Sequence, residues 1–350
     1  MAELLIYGAT GYTGKLIAAA AHAKGERPVL AGRNPTKIRP LAEKFGLPWT
    51  SFDLDDSRAI DRALTEVKAV LHIAGPFSAT SKPMVDACIR TGRHYLDITG
   101  EIDVFEACAA RSAEAKAKGV MLMPGAGFDV VPSDCLAAHV ARRLPGAKRL
   151  VIGISGMGKA SRGTAKTMVE SLGTGTKVRR SGGIVSLPKA PSRQIDFGQG
   201  PSLSVGVSWG DVATAWHSTA IPDIDVYFEA VGPIKRMANA GRVTQWLLAQ
   251  GWMKRFLKGR IDKMPEGPTD TERAASSHVL IAEATDARGN TVRSRLRTPE
   301  GYTLTSATAL EIARRVCAGE AKPGFQTPSL AFGPDLILDF AGCQRDDLNT

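Results

Sequence analysis

The chain of 350 residues is 43% hydrophobic and 23% charged, an ordinary globular balance that is long enough for two domains with real cores. Its five cysteines are scattered, odd in number and never spaced Cys-x-x-Cys, which argues against a disulfide framework and a zinc site. The net charge of +10 admits nucleic acid, a membrane surface or an anionic small molecule, but the lysines and arginines are spread out without interleaved aromatics, so nucleic acid is set aside.

No secretory signal opens the sequence, and the apolar runs fall well short of a bilayer span, so a cytoplasmic protein is expected. The first element is the strand-like Leu4-Leu-Ile-Tyr7. Gly8-Ala-Thr-Gly11-Tyr-Thr-Gly14 follows, and a helix begins at Lys15. A strand, a glycine turn and a helix in that order make a pyrophosphate site. The first N–H groups of the helix lack intrahelical acceptors, its dipole is positive there, and glycine lets phosphate oxygens approach the backbone. Gly8, Thr10, Gly11, Tyr12, Thr13 and Gly14 are therefore the expected contacts. The spacing is Gly-x-x-Gly-x-x-Gly rather than the usual Gly-x-Gly-x-x-Gly.

Pro28–Asn34 reads as the second strand. An NAD enzyme commonly carries Asp or Glu there, about 20 residues after the glycine turn, to hold the ribose 2′-hydroxyl. This chain has Gly32, then Arg33, with Lys37 one helical turn on. Two cations without a carboxylate suit a 2′-phosphate, so NADP(H) is favoured over NAD; the alternative is a surface arginine at a helix start. Helix 35–45, strand 50–54, helix 57–64 and strand 69–74 follow, then helix 82–91, strand 94–99, helix 102–118 and strand 119–124. This alternation predicts an α/β fold with a doubly wound, Rossmann-type parallel sheet. Ligands belong at the carboxyl ends of its strands. There Asp53 is a candidate adenine contact, and Ala74, Gly75 and Pro76 form a small-residue loop for the nicotinamide ribose. The polar groups of Asp97–Glu101 share that mouth. Pro124–Asp134 is an irregular loop in which a helix cap accounts for Ser133 or Asp134 but not for Asp129.

From Lys148 the texture changes to alternating segments at 150–155, 184–187, 202–207 and 225–231, and a hairpin of 278–284 with 291–297. These predict a second, α+β domain with a mostly antiparallel sheet. A helix over 164–172 could offer its N-terminus to an anion with Lys159, Arg162 or Lys166, or be an ordinary capped helix. Segment 242–261 is amphipathic and basic, with Trp246, Leu248, Trp252 and Phe256. It suits packing on its own domain, a greasy substrate, a subunit contact or a membrane surface. The expected division is 1–134 for the nucleotide, 135–317 for substrate and dimerisation, and 318–350 returning to the first domain. A homodimer is expected, and no metal site.

No Tyr-x-x-x-Lys pair, Gly-x-Ser-x-Gly elbow or His-Glu-x-x-His helix is present, so the familiar catalytic sets are missing. Tyr95, Asp129 and Lys166 are the candidate proton sources. Gly8–Gly14, Ala31-Gly-Arg33, Tyr95–Glu101 and Gly127–Asp134 together resemble the saccharopine dehydrogenase-like oxidoreductases, and more nearly the branch of trans-acting enoyl reductases. Gly163-Thr-Ala165, Glu266-Gly-Pro268, Gly301-Tyr302 and Gly324–Pro328 are similar to that branch's later landmarks. The resemblance implies NADP on Gly8, Gly11, Gly14 and Arg33. It implies reduction of an activated C=C on a small-molecule or carrier-bound acyl or polyketide-type substrate. C=N chemistry on an amino-acid adduct is the alternative, for which Arg162, Arg179, Arg180 and Arg193 are available. A non-catalytic NADP sensor is the third reading.

Overall fold

The computed structural model describes residues 3–156, 158–170, 175–231, 247 and 250–348. The chain forms two compact units, Met1–Val131 with Gly301–Leu336, and Pro132–Glu300 with Ile337–Thr350.

In the first unit, strands β1 (Leu4–Tyr7), β2 (Val29–Gly32), β3 (Trp49–Ser51), β4 (Ala69–His72), β5 (His94–Asp97) and β6 (Met121–Met123) alternate with helices. These are α1 (Tyr12–Ala23), α2 (Pro35–Phe45), α3 (Ser57–Thr65), α4 (Phe77–Thr91), α5 (Ile102–Ala110) and α6 (Ser112–Ala117). The sheet is parallel in the order β6-β5-β4-β1-β2-β3, and a short strand, Gly324–Phe325, pairs beside β6. The order reverses at β1 and β4, which opens a crevice at their carboxyl ends. Both strands are buried along their whole length, as a sheet covered on two faces requires. Helix starts follow local chemistry: Asn34 accepts from the Thr36 N–H ahead of Pro35, and Asp56 accepts from the Ala59 N–H. The helix expected over 102–118 breaks at Arg111, whose φ of −96° and ψ of 8° leave the helical region.

Helix Gly301–Arg315 belongs to this unit; the expected division put it in the second. Its Tyr302 ring meets Tyr12 edge-on at 5.1 Å. The Thr305 hydroxyl accepts from the Phe128 N–H at 2.9 Å, and Thr308 donates to the Ala126 carbonyl at 2.9 Å. These bonds brace the loop after β6 across 177 and 182 residues of sequence. The return to the first unit therefore comes at Gly301 rather than 318, and residues from Ile337 join the second unit.

The second unit carries β7 (Arg149–Ser155), β8 (Thr176–Arg180), β9 (Gly183–Leu187), β10 (Ser192–Asp196), β11 (Pro201–Gly206), β12 (Asp223–Glu229), β13 (Ser277–Thr285) and β14 (Thr291–Pro299). The order is β10-β11-β12-β7-β13-β14, then Gln344–Leu348. Only β7 and β12 pair in parallel along this path. Ile152, Val226 and Ala282 stand in register and are buried, which gives the sheet one apolar face for helices α7 (Val131–Arg143) and α9 (Asp211–Thr219). Residues 171 and 172 of the expected 164–172 helix, like Trp246 and Leu248, lie outside the described residues. Among the described residues no helix is long and apolar enough to cross a membrane, and no group of His, Cys, Asp and Glu is placed to hold a metal ion.

The turn between β1 and α1 sets the tightest packing in the first unit. A Cβ on Gly14 would stand 2.6 Å from the Gly8 carbonyl oxygen and 2.7 Å from the Ala9 carbonyl carbon. Backbone cannot move aside as a side chain can. Gly14→Ala is expected to lower stability by roughly 2–4 kcal/mol in urea unfolding. Gly11→Ala, whose nearest neighbour would be 3.4 Å away, should cost no more than about 1 kcal/mol.

Candidate functional site

Gly8 holds a φ of +92°, and a Cβ there would lie 2.8 Å from the Ala74 nitrogen. The first strand's turn and the fourth strand's loop thus abut backbone to backbone. Gly11, the residue ahead of α1, is exposed; no side chain caps it, and the first turn of α1 carries no acid. An exposed, glycine-led helix start with no carboxylate of its own is suited to a phosphate. Thr10, Tyr12 and Thr13 flank it, each partly buried.

Arg33 and Lys37 are both exposed beyond β2, and neither forms an ion pair with a described residue. Tyr7 locates Arg33. Its hydroxyl donates to the Phe52 carbonyl at 3.1 Å, and burial together with the Asp53 charge pushes its pKa up to about 12, against the pull of Arg33. Arg33 and Asp53 therefore act on one spot, at the ends of β2 and β3. A guanidinium at that place, with Lys37 one helical turn on, is chemically suited to a 2′-phosphate.

At the end of β4, the Thr80 hydroxyl lies 2.5 Å from the Ala74 carbonyl and 3.0 Å from that of Pro76, and His72 Nε2 stands 3.0 Å from it. His72 is fully buried, which lowers its pKa to about 3, so the ring is neutral. The Glu101 carboxylate accepts from the Phe77 and Ser78 N–H groups at 2.8 and 2.9 Å. A residue that follows β5 thereby caps the helix that follows β4. Sequence spacing carries no sign of this, because the partners are 24 and 23 residues apart.

The three proton-source candidates separate. Tyr95 is fully buried and its hydroxyl donates to Asp97 at 2.6 Å, so it is a core residue and not a group of the mouth. Lys166 pairs with Asp262 at 2.5 Å in the second unit. Its neighbours are also engaged: Lys159 pairs with Glu272, and Arg162 donates to the Met264 carbonyl at 2.5 Å. Each of these three cations by helix α8 (Arg162–Glu170) thus has a partner among the described residues. Asp129 differs from both. It is partly buried after β6, beside Gly100, where a Cβ would come within 3.0 Å of its Oδ2. No hydrogen bond to its carboxyl is formed by a described residue, and burial alone raises its pKa to about 7. Asp134, in the same segment, is fully buried and accepts from the Ser218 hydroxyl. Cys88, Cys108 and Cys317 are buried, which pushes their thiols up and away from thiolate chemistry.

A concavity of about 850 Å³ opens at the amino-terminal ends of β1 to β3, between Glu3, Arg27, Pro48 and Arg314. That is the end opposite the glycine turn. A parallel sheet binds ligand at its carboxyl edge, and the uncommitted groups are there.

Residues 4–123 match the family described as "Saccharopine dehydrogenase NADP binding domain". The chain is 31% identical over 155 residues to "Trans-acting enoyl reductase" of Mycobacterium ulcerans, covering 40% of this chain and 36% of that protein. It is 29% identical over 164 residues to "Saccharopine dehydrogenase-like oxidoreductase" of Mus musculus, covering 41% and 38%. The matched stretch is thus little more than a third of each relative. The solved apo saccharopine dehydrogenase (L-Glu forming) from Saccharomyces cerevisiae shares the fold over 100% of both chains, with a TM-score of 0.65 and 14% identity.

Arg33→Ala is expected to raise the Kd for NADPH by roughly 10- to 100-fold and to leave that for NADH within about twofold, in calorimetric titration; equal losses would remove Arg33 from the phosphate. The glycine turn, Arg33 and Lys37 all lie within residues 4–123, the span that matches the saccharopine dehydrogenase NADP-binding domain.

Proposed function

We propose that the chain is an NADPH-dependent reductase that saturates the activated C=C of an acyl or polyketide-type thioester, with Asp129 as proton donor. The observation that carries this reading is the Asp129 carboxyl. It has no hydrogen-bond partner among the described residues, is partly exposed and is shifted to about 7 at the carboxyl edge of the nucleotide sheet. The trans-acting enoyl reductases among the relatives support the choice of substrate.

When bound, NADPH supplies hydride to the carbon β to the thioester carbonyl. The chain's task is the proton on the α carbon. Protonated in good part near pH 7 and increasingly so below it, Asp129 holds that proton on its carboxyl, gives it up and recovers one from water through its exposed edge. A pKa near the working pH maximises both the acid fraction and its willingness to donate. Gly100, without a side chain, leaves Asp129 its room.

The C=N alternative needs arginines free to grip several carboxylates. Arg179 is buried and donates to the Val212 and Gly182 carbonyls, Arg180 pairs with Asp225, and Arg193 pairs with Glu283. With Arg162 already on Met264, each of the four is committed to its own partner, which favours the enoyl reading.

NADPH absorbance should fall with enoyl thioesters and stay level with 2-oxo acids plus amino acids; the reverse pattern, or silence with both, overturns the proposal. Asp129→Asn should lower kcat by roughly 10²- to 10⁴-fold with NADPH affinity unchanged. Because the protonated form is the active one, wild-type kcat should decline as pH rises through about 7. The variant's residual rate should lack that decline.

A further inference from the structure

Helix Gly251–Ile261 of the second unit contains no acidic residue and divides into two unlike faces. Its inner face is clamped to α8. Lys254 donates to the Glu170 carbonyl at 2.8 Å, Lys258 pairs with the Glu170 carboxylate at 2.6 Å, and Ile261 is buried. Two of the helix's cations are therefore spent inward. On the outer face, Trp252 is 54% exposed and Phe256 57%, one turn apart. Arg255, Gly259 and Arg260 share that face, and the exposed Lys263 and Met264 continue it. Arg255, Arg260 and Lys263 form no ion pair with a described residue, and the adjacent Asp262 is held by Lys166.

We propose that this face docks the protein on an anionic bilayer surface. An indole and a phenyl ring flanked by unpaired cations match the headgroup region of such a surface, rings at the acyl boundary and cations among the phosphates. Eleven residues make a helix about 16 Å long, too short to span a bilayer and fit to lie in its plane. A second copy of the chain is the poorer occupant, since a twofold contact would set these cations against their own copies. The inference is independent of the proposed reaction.

The test uses the full chain sedimented with vesicles of phosphatidylcholine alone and of phosphatidylcholine with phosphatidylglycerol. Binding should require the anionic lipid, weaken with added salt and shift tryptophan emission to the blue. The double variant Trp252→Ser/Phe256→Ser should lose about tenfold or more of its partitioning, and Arg255→Glu/Arg260→Glu likewise. Both variants change exposed side chains, and unchanged NADPH titration would show that the fold persists. Unchanged binding by either variant, or equal binding to neutral and anionic vesicles, overturns the proposal. So does self-association that these variants abolish while vesicles go unbound.

Discussion

One buried carboxyl holds the mouth of the nucleotide unit together. Asp97 is fully buried at the end of β5, where it accepts from the Tyr95 hydroxyl at 2.6 Å, the Thr99 N–H at 2.8 Å and the Gly125 N–H at 2.9 Å. Thr99 in turn accepts from the Glu101 N–H at 3.0 Å, and Glu101 receives the first N–H groups of α4. A continuous line of hydrogen bonds thus joins the loops after β4, β5 and β6. Each such bond to a carboxylate is worth about 1.5–3 kcal/mol, and loss of Asp97 would orphan several donors at once. Burial outweighs these bonds in setting its titration, which is pushed up to about 7.

Asp129 titrates in the same range for the same reason, desolvation, yet the two carboxyls have different uses. Asp97 is saturated with donors and closed to water, so its proton has no route to a ligand. Asp129 has no described partner and keeps an exposed edge. A shifted pKa alone therefore fails to mark a chemical group. Coordination and access decide which of two equally perturbed acids can act.

Much of this was legible in the sequence because it rests on short-range chemistry. The glycine turn, the helices that follow β2 and β3, the apolar runs of β1 and β4 and the hairpin around Gly289 are each fixed by residues within a few positions of one another. Arg33 and Lys37 were readable for the same reason, being one helical turn apart. What depended on distant partners was not. Tyr95 carries the polar tip of a catalytic residue, and only the fold shows that tip turned onto Asp97. Lys166 looks free until Asp262 is brought beside it. The placement of helix Gly301–Arg315 turns on two threonines and a tyrosine that meet residues from the far end of the chain.

The discontinuous path of the first unit has a consequence for its birth on the ribosome. Strands β1 to β6 emerge first, yet the parallel sheet gains its last strand only with Gly324–Phe325, after all of residues 132–300 have been made. Until then the Met121 edge stays unpaired and the loop bearing Asp129 lacks its threonine braces. The nascent nucleotide unit must wait, with an open edge prone to wrong pairing, while its longest insertion is translated.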